Sequence, residues 1–205
     1  VEVTEPFWFR DEFGEDSRER YFYRPNNISI SGGKMVTSSS STISWVFPVL
    51  LKSPEISATL KNISKYNERY EINIFINRGS FKTSPSGTYV NDGTNRYVVN
   101  IDGTNGRVNL WKRSATDTDL SSDISPSAGY AATIPYNTEF TFKVVVSGNT
   151  FTVTIDETDY VFTDSGTIYE SGLIALDSYR GEWEIDNLQI SGTRVYNKPI
   201  HRGAM

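Results

Sequence analysis

Apolar and polar residues alternate along the chain in short runs, and the runs are separated by Gly, Asn, Asp, Pro and Ser. A period of two is typical of β-strands with one buried face, and the spacing of an amphipathic helix does not occur. About a dozen strands at this spacing are typical of a β-sandwich or jelly roll. The predicted strands are Phe7–Phe13, Asn27–Ser31, Lys34–Thr37, Ile43–Pro48, Glu55–Leu60, Tyr70–Asn77, Arg96–Ile101, Arg107–Lys112, Glu139–Ser147, Thr150–Asp156, Tyr160–Thr163, Ser171–Asp177 and Glu182–Ser191.

Glycine and asparagine mark the turns between several of these strands. The segment 147–149, Ser-Gly-Asn, separates two runs of strand-forming residues and predicts a β-hairpin, as does Gly-Gly at 32–33. The sequence Asp-Gly-Thr-Asn occurs at 92–95 and again at 102–105, and the second copy is expected to turn a hairpin. Segments 79–95 and 114–138 lack a strand pattern and are predicted to be long loops, which are usually functional or disordered.

Length and composition fit one all-β domain in a chain of 205 residues. We expect a sandwich over residues 7–192, an N-terminal arm at 1–6 and a C-terminal tail or linker at 193–205. Lys and Arg total 20 against 25 Asp and Glu, a net charge of −5, which argues against a nucleic-acid binder. No run of about 18 apolar residues is present for membrane insertion. Cysteine is absent, which excludes disulfides, zinc thiolate sites and thiol nucleophiles.

Four stretches resemble one known superfamily when they are taken in order. They are FWFRDEF with NISISGGKMVT, then YEINIFINR with RYVVNID and RVNLWKR, then EFTFKVVVSGNTFTVTID, and finally SGLIALDS with EWEIDNLQISG. Together they resemble the concanavalin A-like jelly rolls, particularly the laminin-G-like and glucanase-like modules. The resemblance implies a two-sheet antiparallel β-sandwich whose concave sheet often binds sugars. Members of the superfamily include glycosidases, lectins and domains that only hold other proteins, so fold alone does not choose a function.

Three carboxylates stand at alternate positions in EWEIDNLQISG: Glu182, Glu184 and Asp186. Glycosidases of this superfamily resemble Glu-x-Asp-x-x-Glu, or the same pattern one residue shorter, and the third position here is Leu188 or Gln189. Neither can act as an acid, and retaining hydrolysis needs two carboxyl groups. The apolar phase also changes at 186–187, which predicts a β-bulge. We therefore interpret this segment as a closing strand; a catalytic pair of Glu182 and Asp186 is the alternative.

The central three-strand meander offers a more promising surface for a ligand. Isoleucines of Tyr70–Asn77, the Tyr-Val-Ile series of Arg96–Ile101, and Val108 with Leu110 are expected to face the core. The opposite face then carries aromatic, amide and guanidinium groups, which suit the apolar faces and the hydroxyls of a sugar. The candidate ligand-binding residues are Asn73, Phe75, Asn77, Arg96, Asn100, Asn109, Trp111 and Arg113. The alternative is that a loop such as 114–138 covers Phe75 and Trp111.

The two Asp-Gly-Thr-Asn segments have two interpretations. The resemblance implies that Asp92 and Asp102 could offer oxygens to calcium, which this superfamily sometimes binds. The segments lack the alternating acidic positions of a calcium loop, so turn formation is favoured and no cofactor is expected. His201 is the only histidine, which disfavours a Ser-His-Asp arrangement or a histidine-based metal cluster.

The leading hypothesis is a non-catalytic, lectin-like module that binds a glycan or polysaccharide and is exposed outside a cell or on a virion. The alternative is a structural or adhesive subunit of an extracellular or viral assembly, in which the arm, the tail and the 114–138 loop hold neighbouring subunits. A glycoside hydrolase that uses Glu182, Glu184 or Asp186 is the third hypothesis.

Overall fold

The computed structural model describes residues 2–14, 28–37, 43–63, 69–76, 81–84, 87–90, 95–114, 118–179 and 181–197. The strands in these ranges are β1 (Glu2–Asp11), β2 (Ile28–Ser31), β3 (Lys34–Thr37), β4 (Ile43–Asn62), β5 (Arg69–Ile76), β6 (Phe81–Ser84), β7 (Gly87–Val90), β8 (Arg96–Asp102), β9 (Arg107–Arg113), β10 (Ile124–Ser125), β11 (Tyr130–Ala131), β12 (Glu139–Ser147), β13 (Thr150–Ile155), β14 (Thr158–Asp164), β15 (Gly172–Tyr179) and β16 (Trp183–Asn197). One 3₁₀ turn, Ser121–Asp123, precedes β10. A search of the described ranges finds no helix with the length and apolar character of a membrane span.

The strands form an antiparallel sandwich, as the alternating sequence predicts. The path of backbone pairing runs β10-β14-β13-β12-β4-β15-β5-β8-β9-β11. The first half of β4 pairs with β15, whereas its second half pairs with β12, so β4 passes from one layer to the other. We call β15, β5, β8, β9 and β11 the meander layer, and β12, β13, β14 and β10 the opposite layer. Along its other side β4 pairs with β16, which also pairs with β3 and β1.

Aromatic side chains join the two layers through the core. Tyr97 of β8 lies 4.5 Å from Phe151 of β13, measured between ring centroids. Tyr70 of β5 meets Trp183 of β16 at 5.5 Å. Each such pair contributes about 0.5–1.5 kcal/mol beyond the area it buries. The inward phase predicted from the sequence therefore corresponds to the core.

The sequence predicted two separate strands at 43–48 and 55–60, whereas the structure has the single strand β4. It is one strand of 20 residues. Ser53 adopts a positive φ of 44° within it. Opposite this bend, a Cβ on Gly192 would lie 3.0 Å from the carbonyl oxygen of Lys52, so the two strands approach closely here. The turn-forming residues around 52–54 bend the strand and do not end it.

Residues 2–6 and 193–197, expected as an arm and a tail, belong to the paired strands β1 and β16 in the structure. Residues 2–6 pair with residues 193–197, from Glu2 opposite Asn197 to Pro6 opposite Thr193. An ion pair between Arg194 and Glu5, 3.4 Å apart, crosses this ribbon. Pro6 lies within β1, and a proline is tolerated on an edge strand of this kind. Residues 198–205 lie outside the described residues.

Both segments predicted to be loops contain strands. The hairpin of β6 and β7 lies within 79–95. In 114–138, β10 pairs with β14 and β11 pairs with β9, so this segment contacts both layers. Ile124 is buried, and Tyr130 lies 5.1 Å from Phe162 of β14. The segment thus closes one side of the sandwich.

Candidate functional site

The strand register brings the predicted ligand-binding residues of β8 and β9 together. Arg96 pairs with Arg113, Val98 with Trp111, and Asn100 with Asn109. We call this outward side of β5, β8 and β9 the meander face. Asn73 and Phe75 belong to β5, but their side chains, like the whole of Asn77, lie outside the described part of the chain. Ligand contact by all eight predicted residues stays a prediction.

The described residues of the meander face differ in exposure. All seven residues of β8 are buried, so its outward side chains do not form an open surface. Arg96 is 8% exposed and Asn100 is 0% exposed. On β9, in contrast, Asn109, Trp111 and Arg113 are half-buried. On these two strands the accessible part of the face therefore follows β9. The alternating sequence of β8 did not predict that both of its sides are buried.

A row of hydrogen-bonded polar side chains crosses the meander face from β5 through β8 to β9. The Asn100 amide donates to Glu71 Oε1 at 3.2 Å, and the Asn109 amide donates to the Asn100 side-chain oxygen at 3.2 Å. A Cβ on Gly129 would lie 2.2 Å from Asn109 Oδ1, so the loop backbone rests directly on Asn109. These contacts fix the two amides and support the surface beside them.

Glu71 is a member of this site that the sequence analysis did not include among the candidates. Burial raises the pKa of its carboxyl group, while Arg69, the hydrogen bond from Asn100, Arg96 and Arg113 act in the opposite direction. The sequence around Glu71 could have pointed to this residue, because the shorter glycosidase pattern Glu-x-Asp-x-Glu also aligns with Glu71, Asn73 and Phe75. Of those three residues only Glu71 has a carboxyl group, whereas retaining hydrolysis needs two.

Trp111 supplies the aromatic surface of the site, and Arg69 lies over it. The Arg69 guanidinium carbon is 5.6 Å from the centre of the indole ring. Arg69 Nε is also 3.5 Å from Asp102 Oδ2, and its side chain is 39% exposed. On the same strand as Trp111, Arg113 lies 3.3 Å from Asp119. A half-buried indole flanked by two guanidinium groups is the main accessible feature of the meander face.

The 114–138 segment runs beside this feature. The amide of Leu120 donates to the Lys112 carbonyl at 2.9 Å, which holds the segment along the outer edge of β9. Trp111 nevertheless keeps part of its surface exposed. Cover of Trp111 and Phe75 by this segment, the alternative to ligand binding, therefore stays a prediction, and Phe75 lies outside the residues whose side chains are described.

The carboxylates of β16 have structural partners. The backbone amide of Asn187 donates to Asp186 Oδ1 at 2.7 Å, and Asn187 adopts a positive φ of 50°. The register against β4 shifts between Asp186 and Gln189, which confirms the predicted bulge. Glu184 lies 3.5 Å from both Lys34 and Lys61. These contacts account for Glu184 and Asp186 as parts of a closing strand.

The second Asp-Gly-Thr-Asn segment turns a hairpin, as predicted. Asp102 accepts hydrogen bonds from the backbone and side-chain amides of Asn105, both at 2.9 Å. Among the residues placed by the structure, no group of three or more His, Asp or Glu is arranged to hold a metal ion. Asp92 and His201 are not among those residues, and calcium binding is untested.

A shallow groove of about 280 Å³ lies on the outer side of the opposite layer. Hydroxyl, amide and charged side chains line it, including Ser57, Thr59, Thr141, Lys143, Thr154 and Gln189. An ion pair of Lys143 and Glu55, 2.8 Å apart, lies beside it. This groove is a competing surface for a polar ligand and provides positions for control variants.

No protein-family model matches the chain, and no curated protein matches it. Solved structures do match it across nearly its whole length. The carbohydrate-binding module CBM66 from Bacillus subtilis is 12% identical, with a TM-score of 0.56, 91% of this chain and 94% of that chain covered. The Bacillus licheniformis beta-glucanase is 10% identical, with a TM-score of 0.61 and coverages of 90% and 97%.

The third comparison is the VIP36 exoplasmic/lumenal domain in its Ca²⁺/Man3GlcNAc-bound form. It is 10% identical, with a TM-score of 0.62, and covers 95% of this chain and 92% of that chain. Identities this low establish the fold alone. The chain therefore has the concanavalin A-like jelly-roll fold that carbohydrate-binding modules, lectins and glucanases share.

Proposed function

We propose that this domain is a non-catalytic, lectin-like module that binds a glycan on the meander face and is exposed outside a cell or on a virus particle. The observation that carries the proposal is the half-buried indole of Trp111 on the meander face. Arg69 lies over this ring, and Asn109 and Arg113 are its neighbours on the same side of β9. Two of the structural neighbours are, by name, a carbohydrate-binding module and a glycan-bound domain. They support carbohydrate as the ligand class.

The chemistry of Trp111 suits a sugar ring. The apolar C–H face of a pyranose stacks on an indole, and its hydroxyl groups bond to amide and guanidinium groups. Arg69 occupies the space over the indole. A sugar that takes this place displaces a cation–π contact worth about 0.5–1 kcal/mol at an exposed site. A stacked sugar offsets a cost of this size, so Arg69 can move aside when the ligand binds.

The absence of catalysis is part of the proposal and rests on the carboxylates. On β5, Glu71 is followed at the two pattern positions by Asn73 and Phe75, neither of which can serve as the second carboxyl group. On β16, Glu184 is held by two lysines and Asp186 caps the bulge. A reducing-sugar assay over a panel of polysaccharides tests this directly. Hydrolysis that Glu71→Gln abolishes would contradict the non-catalytic assignment.

The test of binding uses a glycan array followed by calorimetry on the bound glycan. Trp111→Ala is expected to lose about 0.5–1.5 kcal/mol of binding free energy, a 2- to 12-fold change in Kd. Trp8→Ala is the matched control, because Trp8 is a 64% exposed indole on β1, outside the meander face. Circular dichroism establishes that both variants fold. Equal loss in both variants, or no loss in either, would place the ligand elsewhere.

A structural or adhesive subunit is the second candidate. Among the described residues β1 pairs only with β16, so it is an edge strand, and it carries the exposed Trp8. An edge strand presents unpaired backbone groups to which another chain can add a strand. Sedimentation that detects an oligomer, abolished by Trp8→Ala, together with an array free of signal would favour this candidate over the lectin.

A further inference from the structure

The charge of the meander face differs from that of the whole chain. The chain carries a net charge of −5. Four arginines nevertheless occupy outward positions on neighbouring strands, at 69, 96, 107 and 113. Within the described residues, Glu71, Asp102 and Asp119 place carboxylates on or beside this face, and the register adds Asp177 of β15, the cross-strand partner of Glu71. A face with this composition differs from the acidic surface expected of the rest of the domain.

The strand register places two of these arginines next to each other. Arg96 and Arg113 are direct cross-strand partners. Like charges directly opposite each other on two strands destabilise a sheet, and here carboxylates offset the repulsion, because Glu71 interacts with both guanidinium groups and Asp119 lies 3.3 Å from Arg113.

The charges also differ in how accessible they are. The Arg69 side chain is 39% exposed, but the Asp102 side chain beside it is only 6% exposed. Arg113 is 28% exposed. Glu71 is half-buried as well, and its carboxylate accepts a hydrogen bond from the Asn100 amide. A ligand that approaches Trp111 therefore meets two partly exposed guanidinium groups, and the exposed carboxylate of Asp119 lies at the edge of the face beside Arg113.

We infer that the glycan is anionic, and that its carboxylate or sulfate groups bind to Arg69 and Arg113 while a sugar ring contacts Trp111. The inference rests on the proposed function, because it names the ligand class of the same site. Guanidinium groups bind carboxylate and sulfate oxygens through paired hydrogen bonds that neutral hydroxyl groups cannot match in strength. Arg113 follows Trp111 by two residues on β9, and Arg69 stays next to the ring after a sugar displaces it from the indole face, so acidic groups on either side of a stacked sugar fit the arrangement.

The experiment compares polymers that differ only in charge. Polygalacturonate is paired with its fully methyl-esterified form, and dextran sulfate is paired with dextran; binding is measured by calorimetry at low and at 0.5 M NaCl. The charged member of at least one pair is expected to bind more than 10-fold tighter and to lose affinity in salt, because exposed charges are screened. The pair that binds distinguishes a carboxylate from a sulfate ligand.

Two variants separate this site from general electrostatics. Arg69→Gln and Arg113→Gln are each expected to weaken binding of the charged polymer about 3- to 10-fold. The matched control is Arg194→Gln. Arg194 lies 3.4 Å from Glu5 and 5.6 Å from the centre of the Tyr196 ring, which closely resembles the surroundings of Arg69, but it belongs to β16. Binding by Arg194→Gln should equal that of the natural chain.

The outcomes distinguish the two proposals. Binding of the neutral polymer as tight as that of the charged one would overturn the anionic ligand but leave the lectin intact. No binding of either member of either pair, with an empty glycan array, would overturn both. Equal losses in Arg69→Gln and Arg194→Gln, or equal binding of polyglutamate, would mean that net charge rather than the meander face attracts the polymer, which also overturns the inference.

Discussion

Replacing Lys112 with methionine tests the account of the interior most severely. Lys112 follows Val108 and Leu110 in the inward phase of β9, and it is 1% exposed. Its ammonium group lies 2.9 Å from Asp164 Oδ2 and 2.9 Å from Asp123 Oδ2. The Asp164 side chain is 0% exposed. This ion pair joins β9 of the meander layer to β14 of the opposite layer.

The expected cost follows from what Lys112→Met leaves behind. Asp164 keeps hydrogen bonds from the Tyr97 hydroxyl and from the backbone amide of Gly166, the latter at 2.8 Å. It loses its ion pair with Lys112, the one cation bonded to it among the described residues, so a buried charge is left without compensation. Breaking a buried ion pair from one side costs about 3–5 kcal/mol. Adding Asp164→Asn removes the charge as well, and the double variant should recover more than about 1 kcal/mol of that loss.

Urea unfolding followed by tryptophan fluorescence measures both variants. Lys143→Met is the matched control, because Lys143 pairs with Glu55 at 2.8 Å but both side chains are more than 40% exposed. Exposed pairs contribute about 0.2–1 kcal/mol, so this control should change stability little. A loss below about 1 kcal/mol for Lys112→Met, or strictly additive losses in the double variant, would show that Lys112 does not compensate a buried charge on Asp164.

Alkaline pH perturbs the same cluster without a mutation. Burial lowers the pKa of Lys112, but its hydrogen bonds to Asp164 and Asp123 outweigh that effect and the net direction is upward. Burial and the hydrogen bond to Asp164 also raise the pKa of Tyr97. Both groups keep their protons more tightly in the folded chain. Their stabilising contribution is therefore complete below the unfolded pKa values, about 10 to 10.4, and is lost as the pH rises through the folded ones.

The remaining predictions concern the meander face. Gly129→Ala should destabilise the chain more than Gly148→Ala. Both glycines have a positive φ, 68° and 58°, but a Cβ on Gly129 would lie 2.2 Å from Asn109 Oδ1, whereas Gly148 has open space around it. Urea midpoints compare the two variants, and equal costs of about 1 kcal/mol would contradict the close contact. Since burial raises the pKa of Glu71, the stability that its protonated form contributes is lost as the pH rises above the unfolded value of about 4.3, so Glu71→Gln should gain stability relative to the natural chain from that pH to neutral pH. Thermal melts across that range check the gain, and a constant difference would contradict it.

Alternation predicted the strands well where one face is buried and one is solvated. Strand β12 matches its predicted bounds, and its buried residues alternate along most of its length. The prediction for β4 was wrong because residues 52–54 resemble a turn. In the structure the partner strand β16 holds these residues extended around the positive φ of Ser53. That constraint comes from residues more than a hundred positions away. Local pattern cannot supply it.

The site was predictable in its placement but not in its burial. The outward phase of β9 correctly grouped Asn109, Trp111 and Arg113, because register follows from the hairpin at 102–105. The burial of Arg96 and Asn100 depends on what covers the outward side of β8, and the alternation of polar and apolar residues along the strand carries no information about that cover. Lys112 stood at an inward position, and that should have indicated a buried carboxylate partner. Its identity as Asp164 depends on the packing of the two layers.

The most direct test of the central claim follows the tryptophan indole N–H signals in a ¹⁵N–¹H spectrum while the glycan is added. The chain has four tryptophans, and single substitutions assign their signals. The Trp111 signal is expected to shift with ligand concentration, whereas the signals of exposed Trp8 and buried Trp183 stay in place. A saturable shift of the Trp8 signal with no change at Trp111 would contradict a glycan site on the meander face.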